Sequence, residues 1–131
     1  MPTPKWMIGT RPRSGCVRWT FKAAAEVRTG ILLDGWTAGD TGARPGLYFG
    51  DLTGNVYALD AQSGELRWRD RPADHHSLTI TASPVRFADR LYVALSSLEV
   101  TAAADPGYAC CTFRGGVVAY GAATGKRLWT A

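Results

Sequence analysis

One block of this sequence occurs twice with the same spacing. Ala58-Leu59-Asp60-Ala61-Gln62-Ser63-Gly64-Glu65-Leu66-Arg67-Trp68 is answered by Ala119-Tyr120-Gly121-Ala122-Ala123-Thr124-Gly125-Lys126-Arg127-Leu128-Trp129, 61 residues later. The match extends upstream, where Gly54-Asn55-Val56 parallels Gly115-Gly116-Val117. A degenerate third copy, Ser14-Gly15-Cys16-Val17-Arg18-Trp19, ends 49 residues before Trp68. A strand-rich unit recurring at roughly 40–50 residues indicates propeller blades.

The residues inside the block read as a hairpin. Val56-Tyr57-Ala58-Leu59 is β-prone, and Asp60-Ala61-Gln62-Ser63-Gly64 supplies turn chemistry: short polar side chains that cap a turn, and a glycine able to adopt φ > 0. Leu66-Arg67-Trp68 then restarts the chain as a strand. Gly121 stands where the first copy has Asp60, so the second turn lacks that side-chain cap; Arg11 takes the same place in the degenerate copy. A tryptophan at one fixed distance after each turn suits a wedge between neighbouring sheets, with its indole N–H free for a backbone acceptor.

Further strands fit between the blocks. Val27, Thr29, Ile31 and Leu33 alternate with mostly polar neighbours, and Leu47-Tyr48-Phe49 ends at Gly50-Asp51. Ser83 to Phe87 leads through Ala88-Asp89 into Leu91 to Leu95, a second hairpin. Residues 35 to 46 read as a loop, and Glu99 to Gly107 could hold one short helix closed by Pro106-Gly107. The fold expected is all-β, with about two four-stranded antiparallel blades and the end strand of a third. The units expected are 1–19 as the tail of a preceding blade, 20–68 as a blade, and 69–131 as a blade carrying a cysteine pair. Blades bury their faces on their neighbours. Two alone expose tryptophan-rich faces, so poor solubility or self-association is expected of the isolated chain.

Charge excludes more than it assigns. Fifteen basic and eleven acidic residues give a net charge of +4, but Arg11, Arg13, Arg67, Arg69, Arg71 and Arg127 are dispersed, without the basic stripe of a nucleic-acid binder. There is no apolar run long enough for a transmembrane helix. Met1-Pro2-Thr3-Pro4-Lys5 lacks the apolar core of a signal peptide. Asp74-His75-His76 reads as a solvated loop rather than a metal site, and no Ser-His-Asp arrangement, phosphate loop or zinc spacing is present.

Cys110 and Cys111 are adjacent, just before Arg114-Gly115. Two readings are open from the residues alone. They could be unrelated strand thiols pointing to opposite faces. They could instead be joined in a tight ring, since neighbouring Cα atoms lie about 3.8 Å apart and ordinary disulfides span roughly 4.4–6.8 Å. Cys16 is the third cysteine and reads as a strand residue without chemistry.

The pattern Ala-x-Asp-x-x-(Ser/Thr)-Gly-x-x-x-Trp resembles the tryptophan docking motif of quinoprotein alcohol dehydrogenases, eight-bladed propellers that bind pyrroloquinoline quinone (PQQ). Ser96-Ser97-Leu98-Glu99, followed by Asp105-Pro106-Gly107-Tyr108-Ala109-Cys110-Cys111-Thr112-Phe113-Arg114-Gly115, looks most like the polyvinyl-alcohol dehydrogenase branch. The resemblance runs over nearly the whole chain from Gly15 onward. It implies that Cys110 and Cys111 form a disulfide ring packed on one face of PQQ, and that Arg114 hydrogen-bonds the cofactor. It also implies alcohol oxidation by hydride transfer to the PQQ C5 carbonyl. In that scheme calcium polarises the carbonyl, an aspartate base takes the hydroxyl proton, and cytochrome c receives the electrons.

In this family the calcium ligands and the catalytic aspartate belong to later blades, and they have no counterpart here. The chain therefore reads as a cofactor-binding fragment, inactive alone, whose partners are the remaining blades of a periplasmic parent. The enzyme assignment belongs to that parent. An oxidising compartment such as the periplasm suits a persistent disulfide. The alternative is a non-enzymatic propeller scaffold of the outer-membrane assembly lipoprotein type, built from the same blades and binding partner peptides without a quinone.

Overall fold

The computed structural model describes residues 6–10 and 13–131. Arg11 and the Met1–Lys5 stretch, both read above from sequence, lie outside the described residues. The chain is antiparallel β throughout, in three successive sheets. The first is a pair, β1 (Trp6–Thr10) with β2 (Val17–Lys22). The second has the order β3 (Leu32–Asp34), β4 (Gly46–Gly50), β5 (Val56–Asp60), β6 (Leu66–Asp70). The third runs β11 (Arg127–Thr130), β10 (Gly116–Gly121), β9 (Arg90–Ser97), β7 (Leu78–Thr79), with β8 (Val85–Phe87) also on β9. The short helix α1 (Glu99–Ala102) interrupts the connection from β9 to β10. Each later sheet is thus the meander of antiparallel strands expected of a blade.

The repeated block folds twice into the same turn. Gly64 N–H donates to the Asp60 carbonyl and Gly125 N–H to the Gly121 carbonyl, both at 2.8 Å. Asp60 N–H meets the Glu65 carbonyl, and Gly121 N–H meets that of Lys126. Asp60 Oδ1 caps its turn by accepting from the Gln62 and Ser63 N–H groups, a cap that Gly121 cannot supply. Among its described residues the degenerate copy retains the glycine at φ +67° and a hydroxyl bond: Cys16 N–H donates to Ser14 Oγ, as Glu65 N–H does to Ser63 Oγ and Lys126 N–H to Thr124 Oγ1. Cys16 therefore belongs to the turn, exposed and one residue short of β2, rather than to a strand.

The recurring tryptophans join the sheets. Trp19 Nε1 donates to the Ala61 carbonyl at 3.1 Å, and Trp68 Nε1 to the Ala122 carbonyl at 2.9 Å. In both cases the indole of one sheet lies over the turn glycine of the next. That glycine has φ +75° at Gly64 and +68° at Gly125, a region side chains rarely adopt. An added Cβ at Gly64 would come within 2.5 Å of the Trp19 ring, and one at Gly125 within 2.6 Å of Trp68. Two demands, backbone and packing, therefore fix glycine at these positions.

The faces between sheets form two apolar clusters. Met7, Phe49, Tyr57 and Leu59 lie with Trp19 and Phe21 between the first pair and the second sheet. Tyr48, Val56, Ala58, Leu78, Val93 and Tyr120 are among those between the second and third, with Trp68 packed against them. A polar strap closes the second junction: Arg127 grips both Asp70 oxygens, at 2.6 and 2.8 Å, and Tyr120 Oη donates to Asp70 Oδ2 at 2.8 Å. Asp51 is fully buried at the β4–β5 turn. Burial alone would raise its pKa, but bonds from Tyr57, Asn55 and Thr53 outweigh that and hold the carboxyl ionised below its ordinary range.

One expected strand is mostly absent. Of the alternating stretch Val27 to Leu33, only the end joins β3, and Val27 makes a lone bridge to Asp51. The reason is a single side chain. Thr29 Oγ1 accepts from Gly50 N–H at 3.1 Å and lies 3.4 Å from the Gly50 carbonyl. A threonine side chain thus takes the backbone groups a ladder would have used.

Candidate functional site

Three connections converge at the ends of β4, β6 and β9: the Asp51–Asn55 turn, the segment from Arg71 to Ser77, and the long passage from Leu98 to Gly115. The last carries Cys110, Cys111 and Arg114, the three residues the sequence singled out. Cys110 and Cys111 are bonded to each other through their sulfurs, across a cis peptide bond, outside any strand. Both are exposed, so the ring presents a face to its surroundings. The reading as independent strand thiols is thereby removed.

Arg114 stays beside the ring. Its Nη1 donates to the Cys111 carbonyl at 3.3 Å and to the Phe113 carbonyl at 3.2 Å. Among the described residues, Nε and Nη2 have no acceptor. The guanidinium is thus held on its own loop with planar donors to spare.

The residue that shapes this loop escaped the sequence reading. Glu99, in the first turn of α1, is 3 % exposed. Its Oε1 accepts from Thr112 N–H and Tyr108 Oη, both at 2.9 Å, and from Thr112 Oγ1 at 3.3 Å. Its Oε2 accepts from Phe113 N–H at 2.8 Å. Thr112 and Phe113 immediately follow the disulfide, so one carboxylate ties the ring's exit to the helix. The Thr112 N–H bond first, then those from Phe113, Tyr108 and Thr112 Oγ1, outweigh desolvation and pull the Glu99 pKa down to about 2. A carboxylate at an apolar-flanked helix start, Ser97-Leu98-Glu99, was the available signal. It could not say which N–H groups the carboxylate would meet.

His75 and His76 contribute a second support. His76 is exposed, in line with a solvated loop, but His75 is not: its side chain retains 19 % exposure. Its Nε2 lies 2.9 Å from Thr112 Oγ1, and its ring meets Phe113 edge-on at 5.2 Å. His76 stacks on His75 at 4.6 Å and reaches Tyr108 Oη through Nε2. Loop 108–113 is therefore held by Glu99 through its backbone and by His75 through Thr112. Among the described residues no cluster of three or more potential metal ligands occurs.

An exposed disulfide ring beside an anchored guanidinium suits a planar, anionic heteroaromatic molecule. The ring offers a polarisable surface for stacking, and Arg114 offers in-plane donors to a carboxylate or carbonyl oxygen. The donor set fits PQQ on those two counts.

A family model described as outer membrane protein assembly factor BamB matches residues 7–130. A polyvinylalcohol dehydrogenase of Sphingopyxis sp. (strain 113P3) is 37 % identical over 117 residues, which cover 89 % of this chain and 18 % of that protein. Among solved structures, quinohemoprotein alcohol dehydrogenase from Comamonas testosteroni superposes with a TM-score of 0.70 at 24 % identity, covering 96 % of this chain and 18 % of its own. BamB from Moraxella catarrhalis superposes with a TM-score of 0.52 at 19 % identity, covering 98 % and 44 %. At those identities the two structures show the fold alone. The chain spans 18 % of the length of the dehydrogenase relative it matches.

Proposed function

The chain belongs to the PQQ-repeat propeller family, and from that premise we infer that it forms one wall of the cofactor chamber of a PQQ-dependent alcohol dehydrogenase. The observation that carries the reading is the exposed Cys110–Cys111 ring with Arg114 tethered beside it. The similarity to polyvinylalcohol dehydrogenase supports an alcohol, polyvinyl alcohol among the candidates, as the parent's substrate. Bound PQQ supplies two-electron oxidation of that alcohol, with calcium and the catalytic base coming from segments other than this one. Cytochrome c as electron acceptor and a periplasmic location belong to the same proposal, as do the unit bounds 1–19, 20–68 and 69–131.

This chain's own residues bind and orient. The disulfide ring is the stacking platform, and Arg114 fixes the cofactor's rotation in its plane through Nε and Nη2. Glu99 and His75 are positioning residues: they hold Thr112 and Phe113, and so the plane of the ring. The tryptophan–glycine contacts act as the family's docking motif, keeping the sheets at the spacing the chamber needs. None of these groups takes a proton from the substrate, so the chain alone is expected to be inactive.

Equilibrium dialysis of the 131-residue chain against PQQ with calcium tests this. Binding is expected for the oxidised chain, weakened roughly tenfold or more in Arg114→Ala as a charge-assisted bond is lost, and abolished by reduction of the disulfide. Absence of binding by the oxidised chain would remove the assignment. Dye-linked alcohol oxidation by the chain with PQQ and calcium would overturn the claim of inactivity. A scaffold role is favoured by one observation, the BamB description of the matching family, and it predicts no effect of Arg114 or of the disulfide on partner binding.

A further inference from the structure

The Asp74-His75-His76 loop supports the disulfide from both of its sides. Glu99 Oε1 accepts from Tyr108 Oη, two residues before the ring, and from Thr112 N–H, directly after it. The Cys110 N–H donates to the Tyr108 carbonyl at 2.9 Å, so the position of Tyr108 passes straight to the ring. A histidine stands behind each of these two contacts. His75 Nε2 lies 2.9 Å from Thr112 Oγ1, and His76 Nε2 lies 3.2 Å from Tyr108 Oη. The two imidazoles stack at 4.6 Å, which joins the supports of the ring's entry and exit into one unit.

Counting hydrogens fixes the direction of every bond. Glu99 is held ionised, and an ionised carboxylate only accepts. The Tyr108 hydroxyl therefore gives its single hydrogen to Glu99 at 2.9 Å, and Thr112 Oγ1 gives its own there at 3.3 Å. Each hydroxyl oxygen is then an acceptor toward its histidine, so Nε2 carries a hydrogen in both rings. At His75 the other nitrogen is committed as well. Its Nδ1 accepts from the Ser77 N–H at 3.1 Å, which makes this imidazole neutral. The Ser77 carbonyl in turn accepts from the Leu98 N–H at 2.9 Å, at the start of α1. Two chains of donation, His75 through Thr112 and His76 through Tyr108, thus run into one oxygen of one buried carboxylate.

We propose that His76, acting through the Tyr108 hydroxyl, is a positioning residue for the disulfide platform, holding the entry side of the ring as His75 holds its exit. Its hydrogen bond ends on a hydroxyl whose only hydrogen already points at Glu99. Donation into that oxygen polarises and directs the Tyr108–Glu99 bond. Without the hydroxyl of Tyr108, His76 has nothing to act on, so the two residues work in series. Neither touches the cofactor in this scheme. The inference rests on the reading of the ring as the PQQ platform, to which it adds a second, separate branch of support.

Equilibrium dialysis of the oxidised chain against PQQ with calcium tests it, with His76→Phe, Tyr108→Phe and the double variant beside the wild type. His76→Phe keeps a flat ring against His75 and removes the donor. Tyr108→Phe keeps the ring of Tyr108 and removes the relay. Each is expected to weaken binding about fivefold, as for one lost hydrogen bond. The double variant is expected to bind no more weakly than Tyr108→Phe alone, because the residues act in series. His76→Gln, whose amide can donate in place of Nε2, is expected to recover most of the loss. Circular dichroism of each variant checks that the sheets are intact. Long-range proton–nitrogen NMR of the wild type is expected to show a hydrogen on Nε2 of both histidines and none on Nδ1 of His75. A hydrogen on His75 Nδ1, or a bare Nε2 on either ring, would refute the relay whether or not PQQ binds. Variants that bind as tightly as the wild type, or losses that add in the double variant, would remove the role of His76 and leave the platform standing. A wild-type chain that does not bind PQQ takes away the platform itself, and the positioning role with it.

Discussion

The seating of tryptophan on glycine can be separated from the backbone cost of a left-handed turn by comparing Gly125→Ala with Gly15→Ala. The two glycines have nearly equal φ, +68° and +67°. Alanine in that region costs about 1–2 kcal/mol at either site. They differ in surroundings. At Gly15 the new methyl meets nothing within 4 Å among the described residues, whereas at Gly125 it would come within 2.6 Å of Trp68 Cγ and Cδ2. Those atoms are the root of the ring, not a flexible tip, so the indole has to move. Moving it sacrifices the 2.9 Å bond to the Ala122 carbonyl, worth about 0.5–1.5 kcal/mol, and overpacks the junction by about 1–3 kcal/mol. Gly125→Ala is therefore expected to cost about 2 kcal/mol or more beyond Gly15→Ala. In urea unfolding with a slope of about 1–2 kcal/mol/M, the two midpoints should differ by about 1 M or more. Equal midpoints would mean that Trp68 does not rest on Gly125 and that the sheets are joined otherwise.

Further outcomes follow from the site and the strap. Glu99→Gln replaces an acceptor by a donor facing the Thr112 or Phe113 N–H. Because the folded carboxyl is depressed to about 2 from an ordinary 4.5, its contribution is complete above about pH 4.5 and disappears as pH falls through about 2. The stability gap between wild type and variant should therefore be constant at neutral pH and close over that acid window; a gap independent of pH would count against the carboxylate as the clamp. Asp70→Asn weakens a pair whose arginine is 46 % exposed, so screening limits the loss to about 1 kcal/mol by thermal or urea unfolding. A much larger loss would show the strap to be drier than its exposure indicates. Thiol titration of the unfolded chain should count one free thiol, Cys16, before reduction and three after it; three before reduction would remove the ring.

Much of the fold was legible because its signals are local. The Asp60 turn with its positive-φ Gly64 and the β8–β9 hairpin each rest on a few consecutive residues, and the sequence predicted both. The tryptophan wedge was legible because its period matched across copies. The site was legible only at its surface. Cys110, Cys111 and Arg114 stood out as residue types in an unusual order. Glu99 and His75 did not, since their partner Thr112 lies 13 and 37 residues away. The stretch before β3 misled for the same reason: alternation announced a strand, and the hydroxyl of Thr29, 21 residues from Gly50, took over the ladder's bonds.

What the chain's order of residues determined alone was a repeated hairpin with a glycine in its turn and a tryptophan after it, since φ preference and alternation act between neighbours. Which tryptophans find a seat, and which carboxylate meets the loop beyond the disulfide, was decided only when the sheets stacked. A buried acid such as Glu99 keeps its charge because three residues of one loop, Tyr108, Thr112 and Phe113, turn their N–H and O–H groups onto it at once. That convergence exists only in the closed structure.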